Sequence, residues 1–366
     1  MKILEAFGEP IADGGQEAFV FGVLGKMNLS GMTIDCLTAY DCRSDYYKAL
    51  IESKGGNIYA LNLPFAPGKS RELIRNPFSA FLLKHSYDVI HIHSGSISVL
   101  AIMASEADKA GVKKIIVHSH STGESDSLKH RVLRYVASLS MRRHVDVYCA
   151  CSKEAAEWKY EPRYAGKAYI IKNGIDPDRF CFDSEVRKSM RKKLGLTDKD
   201  FVIGHVGRFT PEKNHKFLVN VFERLLRSDA SIRLLLVGDG DKRKEIEGIV
   251  KQRGLQDEVT FAGSVSNVPD YLQAMDLFVL PSLFEGVPIS AIEAQASGLP
   301  VLLSECITRE VGLSDKVQYV ELIEKKWLDA ICGVYKKVDV NDRQPVLSPS
   351  YDLETIAEGI RKLYLK

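Results

Sequence analysis

The sequence predicts an α/β protein made of two parallel-sheet domains. Three observations predict it. The chain has 366 residues, enough for about two domains of roughly 150 residues each. Short runs that are apolar on both faces alternate with helix-length stretches, as in buried parallel strands joined by crossover helices. One apolar run, Tyr169-Ile170-Ile171, breaks at Asn173-Gly174 and again at Asp176-Pro177, two turn signals that mark a domain boundary.

In chain order, strands are expected at residues 89–92, 115–117, 147–150, 202–206, 234–237, 277–280 and 301–303. Each is four or five residues long at most and rich in Leu or β-branched residues. Helices are expected at 18–27, 98–110 and 213–227. The last segment, 352–365, carries apolar residues at 353, 356, 360, 363 and 364, which is helical spacing. The first domain is placed at 1–170 and the second at 171–349.

Composition narrows the function classes. Hydrophobic residues are 45% and charged residues 27%, as in an ordinary globular enzyme. Fifty Lys and Arg against 48 Asp and Glu leave a net charge of +2, which argues against a general nucleic-acid binder. The seven cysteines are an odd number, and Cys149-Ala150-Cys151 has one residue between its thiols, so no zinc or redox motif is read. Scattered free thiols fit a reducing compartment. Glu5, Gly8 and Pro10 interrupt the N-terminus too early for a signal peptide, and no run approaches the 18 or so apolar residues of a membrane span. A cytoplasmic location is expected.

In doubly wound sheets, ligands sit past the carboxyl ends of strands, where loops enter helices. Four such junctions stand out. Asp13-Gly14-Gly15-Gln16-Glu17 opens a helix with two glycines, so a phosphate can approach the exposed amides. It is not the GxGxxG dinucleotide fingerprint, which disfavours a nicotinamide enzyme. Val117-His118-Ser119-His120 ends a strand, and His91 and His93 repeat the i, i+2 spacing one strand earlier. No carboxylate or Cys is expected beside them at metal-ligand spacing, so no metal is expected. His120 lies furthest toward the loop and is the candidate to reach a substrate. Gly207-Arg208-Phe209-Thr210-Pro211-Glu212-Lys213 places two cations five residues apart at a helix entry, an arrangement that clamps an anion. In the stretch from Ser282 to Val301, Pro288 suits a first helical turn and Gly298 a helix C-cap. Gly286 and Val287 would offer amides to a phosphate, and Glu285 and Glu293, eight apart, would both face a cleft between the domains.

The stretch Glu285 to Glu293, EGVPISAIE, resembles the EX7E motif of the family 4 retaining glycosyltransferases, and Ala294-Gln295-Ala296-Ser297-Gly298-Leu299-Pro300 continues the same pattern. Gly207-Arg208 with Lys213 resembles the family's diphosphate-binding pair. Gly14-Gly15 resembles its N-terminal glycine loop, and Asn173-Gly174-Ile175-Asp176 its inter-domain segment. The compact EGVP and the later Ser304-Glu305-Cys306-Ile307-Thr308 are most similar to the capsular and exopolysaccharide branch.

The resemblance implies a GT-B fold, with two Rossmann-like domains and a C-terminal helix (350–366) crossing back to the first. It implies a nucleotide-sugar donor, UDP by analogy, held mostly by the second domain, and an acceptor, a glycan or a lipid-diphosphate-linked glycan, on the first. It assigns Arg208 and Lys213 to the leaving diphosphate and Glu293 to the ribose hydroxyls. Glu285 with the Gly286 and Val287 amides, next to Pro288, falls to the transferred sugar or its phosphates, His120 to the sugar near its anomeric carbon, and Gly15 to the diphosphate or acceptor side. The base would lie near Gly263 to Asn267, read by backbone. No cofactor and no metal are implied, because two cations and a helix dipole act where other enzymes use a divalent ion. The compact Gly286-Val287-Pro288, where the family often carries a longer Gly-rich stretch, leaves open which amides meet the sugar.

Two other readings remain open. A sugar-nucleotide epimerase of the same fold would need acid and base groups in the first domain, where Glu9, Asp13 and Glu124 are only loosely placed. A non-catalytic partner subunit would have lost Arg208, Lys213 or Glu293, and all three are present. Residues 128–144 read as a basic amphipathic helix, suited either to an anionic membrane face or to packing on its own sheet.

Overall fold

The structure, a computed structural model, describes residues 1–12, 14–65, 71–120, 128–285, 287–337, 339 and 343–366, with no side chain described at 128–130. The chain forms two compact units, Met1–Gly174 with Ser350–Lys366, and Ile175–Pro349.

The first unit holds seven parallel strands: β1 (Lys2–Phe7), β2 (Thr33–Thr38), β3 (Ile58–Ala60), β4 (Val89–His93), β5 (Lys114–Ser119), β6 (Val147–Ala150) and β7 (Tyr169–Ile170). Their order is β3-β2-β1-β4-β5-β6-β7. The second holds β8 (Phe201–Val206), β9 (Ile232–Val237), β10 (Val259–Gly263), β11 (Leu277–Leu280), β12 (Val301–Ser304) and β13 (Val317–Val320), in the order β10-β9-β8-β11-β12-β13. In each unit the winding reverses once, between β1 and β4 and between β8 and β11. Those switch points open a crevice at the carboxyl ends of the strands, the usual ligand position in such sheets.

Six strands lie outside the sequence reading: β1, β2, β3, β7, β10 and β13. Two of them bury a charged side chain within the apolar run, Glu5 in β1 and Asp35 in β2, each 1% exposed. β7 is two residues long and exposed, and β13 is mostly half-exposed. Three helices also shift. The first spans Gly15–Lys26, not 18–27, with Gly14 as its cap. Residues 98–110 become Ile97–Lys109. Residues 213–227 divide into a 3-10 turn, Pro211–Lys213, and a helix, His215–Leu226, because Asn214 between them is left-handed (φ 55°).

The C-terminal helix, Leu353–Leu365, starts at Asp352, whose carboxylate accepts from the Thr355 amide at 2.9 Å. Its apolar face, Leu353, Ile356, Ile360 and Leu363, is buried in the first unit with Phe19, Val20 and Val23 of Gly15–Lys26. No helix among the described residues is long and apolar enough to cross a membrane, and all seven cysteines carry free thiols.

Candidate functional site

In the second unit, the chain leaves β8 through Gly207 and Arg208. The Gly207 amide donates to the Val237 carbonyl and the Phe209 amide to the Asp239 carbonyl, each at 2.9 Å. Phe209 is fully buried and stacks on His215 with centroids 4.0 Å apart. Anchoring Phe209 inward turns its neighbour Arg208 outward, where it is exposed. The close approach of the two loops requires glycine at 238 and 240. Both have positive φ, 139° and 153°. A Cβ at Gly238 would stand 2.0 Å from the Gly207 oxygen, and one at Gly240 2.6 Å from the Phe209 oxygen. This Gly-Asp-Gly turn after β9 was missed in the sequence, where its signal is a glycine pair directly following a strand.

Lys213 sits on the 3-10 turn. The Asn214 side-chain Nδ2 donates to the Pro281 carbonyl at 3.2 Å, and the Leu283 backbone amide donates to the Glu212 carbonyl at 2.8 Å. These bonds join the turn to the loop after β11, which carries Glu285. Lys213 and Glu285, read in the sequence as separate ligand groups, form an ion pair of 2.5 Å, and the Ser282 hydroxyl donates to the same Glu285 oxygen at 2.8 Å. Arg208 has no ion-pair partner among the described residues. Burial holds His205 well below the usual histidine range and His215 at about 4, so neither ring adds charge beside Lys213.

The following helix spans Ile289–Ala296, and Pro288 is its extended N-cap rather than a first-turn residue. Ser297 caps the other end and Gly298 follows in the left-handed region (φ 70°). Glu293 lies between buried Ile292 and Ala294, and burial pushes its carboxyl up to about 7, with Arg179 as the opposing charge. Arg179 comes from the turn Pro177–Arg179, more than a hundred residues earlier, and was not foreseen. Asn267 caps the helix Val268–Ala274 and its amide donates to Asp270 at 2.8 Å, beside Gly263 at the end of β10. Val287 is half-buried, and Gly286 lies outside the described residues.

In the first unit, chemistry gathers where β1, β4, β5 and β6 end. Gly14 caps Gly15–Lys26 without any side-chain bond, and a Cβ at Gly15 would meet nothing within 4 Å. Glu9 accepts from the Ser94 hydroxyl at 2.9 Å and from the Gly95 amide at 3.2 Å, while the Lys159 ammonium donates to the Gly95 carbonyl. Burial raises the Glu9 carboxyl and lowers Lys159 to about 8. Glu17 is also raised by burial, to about 7. Lys159 was missed because strand order, not sequence spacing, brings it here, whereas Glu17 belongs to the junction at 13–17 already read in the sequence. Asp13 and Glu124 lie outside the described residues.

His120 follows β5. Its Nε2 meets His93 Nδ1 at 2.9 Å, and His93 Nε2 meets Glu5 Oε2 at 2.7 Å. The expectation that no carboxylate stands beside the histidines is therefore corrected: β1 pairs directly with β4 and places Glu5 opposite His91 in register. Ligand atoms of His91, His93 and His118 lie within 4.8 Å of one another. His93 spends both nitrogens on Glu5 and His120 and His91 Nδ1 meets Tyr364, while both His118 nitrogens are buried without a hydrogen-bond partner among the described residues.

Comparison with known proteins agrees with this architecture. The family "Glycosyltransferase Family 4" matches residues 13–179, and "Glycosyl transferases group 1" matches 186–318. EpsF of Bacillus subtilis (strain 168) is 29% identical over 328 residues, 87% of this chain and 84% of EpsF. The UDP-Gal:alpha-D-GlcNAc-diphosphoundecaprenol alpha-1,3-galactosyltransferase of Escherichia coli is 24% identical over 306 residues, 78% of this chain and 76% of that one. Anabaena Alr3699/HepE, solved in complex with UDP and glucose, superposes with a TM-score of 0.77 at 20% identity, covering 99% of both chains, a likeness of fold. Two family matches in order, one over each unit, and a shared GT-B fold lead to one conclusion: the chain belongs to the family 4 glycosyltransferases.

Proposed function

We propose that this chain transfers a hexose or N-acetylhexosamine from a UDP-sugar to a lipid-diphosphate-linked or glycan acceptor in capsular or exopolysaccharide synthesis, with retention at the anomeric carbon and without a metal ion. The observation that carries the reading is the anion site at the β8/β11 switch point: Arg208 turned outward by buried Phe209, and Lys213 five residues on. A UDP donor is supported by the names of the E. coli relative and of the HepE complex.

The chemistry follows from charge. Cleaving the sugar–phosphate bond leaves an oxocarbenium-like sugar and a diphosphate that gains negative charge. Arg208 meets that charge with a planar fork. Lys213 is held by Glu285 in the resting protein, and the diphosphate competes for it as charge develops, leaving Glu285 to accept from the sugar's hydroxyls. Glu293 accepts from the ribose hydroxyls, a role that needs its carboxylate form. His120 lies against the sugar, Gly15 with the uncapped helix start faces the diphosphate or acceptor side, and the base lies near Asn267. Attack from the face the diphosphate leaves gives retention, with the leaving phosphate taking the acceptor proton.

Calorimetric titration of UDP, GDP and ADP in EDTA tests the reading. UDP binds at micromolar affinity, and Arg208→Ala weakens it roughly 10- to 100-fold, the loss of a charge-assisted contact. No binding of any nucleotide, or UDP binding untouched by the substitution, overturns it. An inverted anomer in the NMR spectrum of the product overturns retention.

A further inference from the structure

A file of buried hydrogen bonds runs through the first unit from the C-terminal helix to His120. His91 Nδ1 lies 2.8 Å from the Tyr364 oxygen, and the Tyr364 hydroxyl donates to Glu5 Oε1. Glu5 Oε2 meets His93 Nε2 at 2.7 Å, and His93 Nδ1 meets His120 Nε2 at 2.9 Å. Glu5, His91 and His93 are each no more than 2% exposed. At the far end, His120 Nδ1 is buried beside Asn173 and makes no well-formed hydrogen bond among the described residues.

A neutral imidazole has one N–H and one lone pair, so along such a file each bond dictates the next. With Glu5 as a carboxylate, His93 must donate to it from Nε2. His93 Nδ1 is then bare and accepts from His120 Nε2–H, which leaves a lone pair at His120 Nδ1. With Glu5 as a carboxylic acid protonated on Oε2, the two bonds that lead to His120 reverse. Tyr364 donates to Oε1, and a proton on Oε2, the oxygen that faces His93, is donated to His93 Nε2. His93 Nδ1–H then donates to His120 Nε2, and His120 Nδ1 carries hydrogen. One proton at Glu5 Oε2 thus sets whether His120 offers an acceptor or a donor.

We propose that Glu5 and His93 are positioning residues that set the ring tautomer of His120, with Tyr364 of the C-terminal helix fixing which Glu5 oxygen takes part. The inference rests on the reading above in which His120 lies against the donor sugar. In that place the tautomer decides which sugar hydroxyl geometry is matched, and a mismatch leaves a buried polar atom unpaired. The rings stay neutral because burial holds His91, His118 and His120 well below the usual histidine range and His93 at about 3. The groups facing the file are His91 on β4, His118 on β5, Cys36 on β2 and Tyr364, with Lys159 acting on His120 from the helix Lys153–Lys159. Burial raises Glu5 itself.

Histidine-¹⁵N labelling reads the ring nitrogens of the resting protein directly. The informative variant is Glu5→Gln, which keeps the shape. Its amide oxygen accepts from Tyr364 and its NH2 donates to His93 Nε2, so the file is locked in the reversed sense. The expected spectra show His120 protonated at Nε2 in the wild type above the Glu5 transition, and at Nδ1 in Glu5→Gln. Donor-sugar kcat/KM falls roughly 10-fold or more, while UDP affinity is unchanged, since the second unit carries the diphosphate contacts. The same His120 tautomer in both proteins overturns the file. Should Glu5→Gln not fold, Tyr364→Phe removes one donor from Glu5, and the pH at which His120 changes tautomer moves upward; an unmoved midpoint overturns the file equally. Full activity in His120→Ala overturns the reading of His120 at the sugar, a failure that the ring spectra separate from failure of the file.

Discussion

At the scale of single residues, the ribose contact proposed for Glu293 pulls against stability. Its carboxyl is pushed up to about 7 by burial. A raised carboxylate value means the folded state prefers the acid form, so this group's contribution is most favourable at low pH and is lost as pH rises toward 7 and beyond. Glu293→Gln removes the desolvated charge. The variant is expected to gain roughly 1–3 kcal/mol of stability at pH 8 and nothing at pH 4.5. UDP binding moves the other way: it weakens in the variant, and in the wild type it strengthens between pH 6 and 8 as the carboxylate forms to accept ribose hydroxyls. Denaturant unfolding at the two pH values, with titrations alongside, checks both. A variant less stable than the wild type at pH 8 removes the argument. Arg208, Lys213, Glu285 and Glu293 were legible in the sequence because each follows a strand end at a fixed local spacing. Glu5, Lys159 and Arg179 were not, because strand order and loop docking place them, and neither is written in local spacing.

At the scale of elements, the sequence left the helix Leu128–His144 open between packing on its own sheet and lying on a membrane. The structure buries only Ala137, Ser138 and Met141 of its described side chains. Val132, Leu133, Val136 and Leu139 are exposed, Val132 and Val136 by more than half. Arg131, Arg134, Arg142 and Arg163 rim the shallow groove beside them, although Arg134 also donates to the Glu157 and Trp158 carbonyls and Arg142 pairs with Glu161. An exposed apolar stripe flanked by arginines fits the interface of an anionic bilayer, where a lipid-linked acceptor would lie. Vesicles containing phosphatidylglycerol are expected to bind the protein at low salt and release it at high salt, as the Debye length falls from about 10 Å at 0.1 M to about 3 Å at 1 M. Val132→Asp with Val136→Asp abolishes this binding and leaves UDP affinity unchanged. Equal binding to neutral vesicles, or none at low salt, sinks the idea. The same exposure explains why periodicity found this helix but missed β1 and β2: period marks where apolar residues recur, and a buried Glu5 or Asp35 breaks the run that marks a strand.

At the scale of the whole molecule, the two units should unfold as separate bodies with separate levers. The C-terminal helix belongs to the first unit although the second lies between them in sequence. Leu353, Ile356, Ile360 and Leu363 are buried there, and Lys114 donates to the Leu363 carbonyl at 2.7 Å. Burying each such aliphatic side chain stabilises by about 1.5–3 kcal/mol, so together they rival the 5–15 kcal/mol that typically holds a domain. Ile360→Ala is expected to cost about 2–5 kcal/mol, all of it in the first unit. UDP acts on the other lever. The proposed contacts at Arg208, Lys213 and Glu293 would put nucleotide binding in the second unit, and ligand at 100 times its Kd stabilises the unit that holds it by about 2.7 kcal/mol. Scanning calorimetry of the full chain should therefore show two transitions. Ile360→Ala lowers one and leaves the other in place, and UDP raises only the one that Ile360→Ala spares. If UDP raises the transition that Ile360→Ala lowers, the nucleotide is held by the first unit and the assignment of the donor site is wrong. If both treatments move a single transition, the units unfold together, and the C-terminal helix stabilises the whole chain rather than the unit whose core it completes.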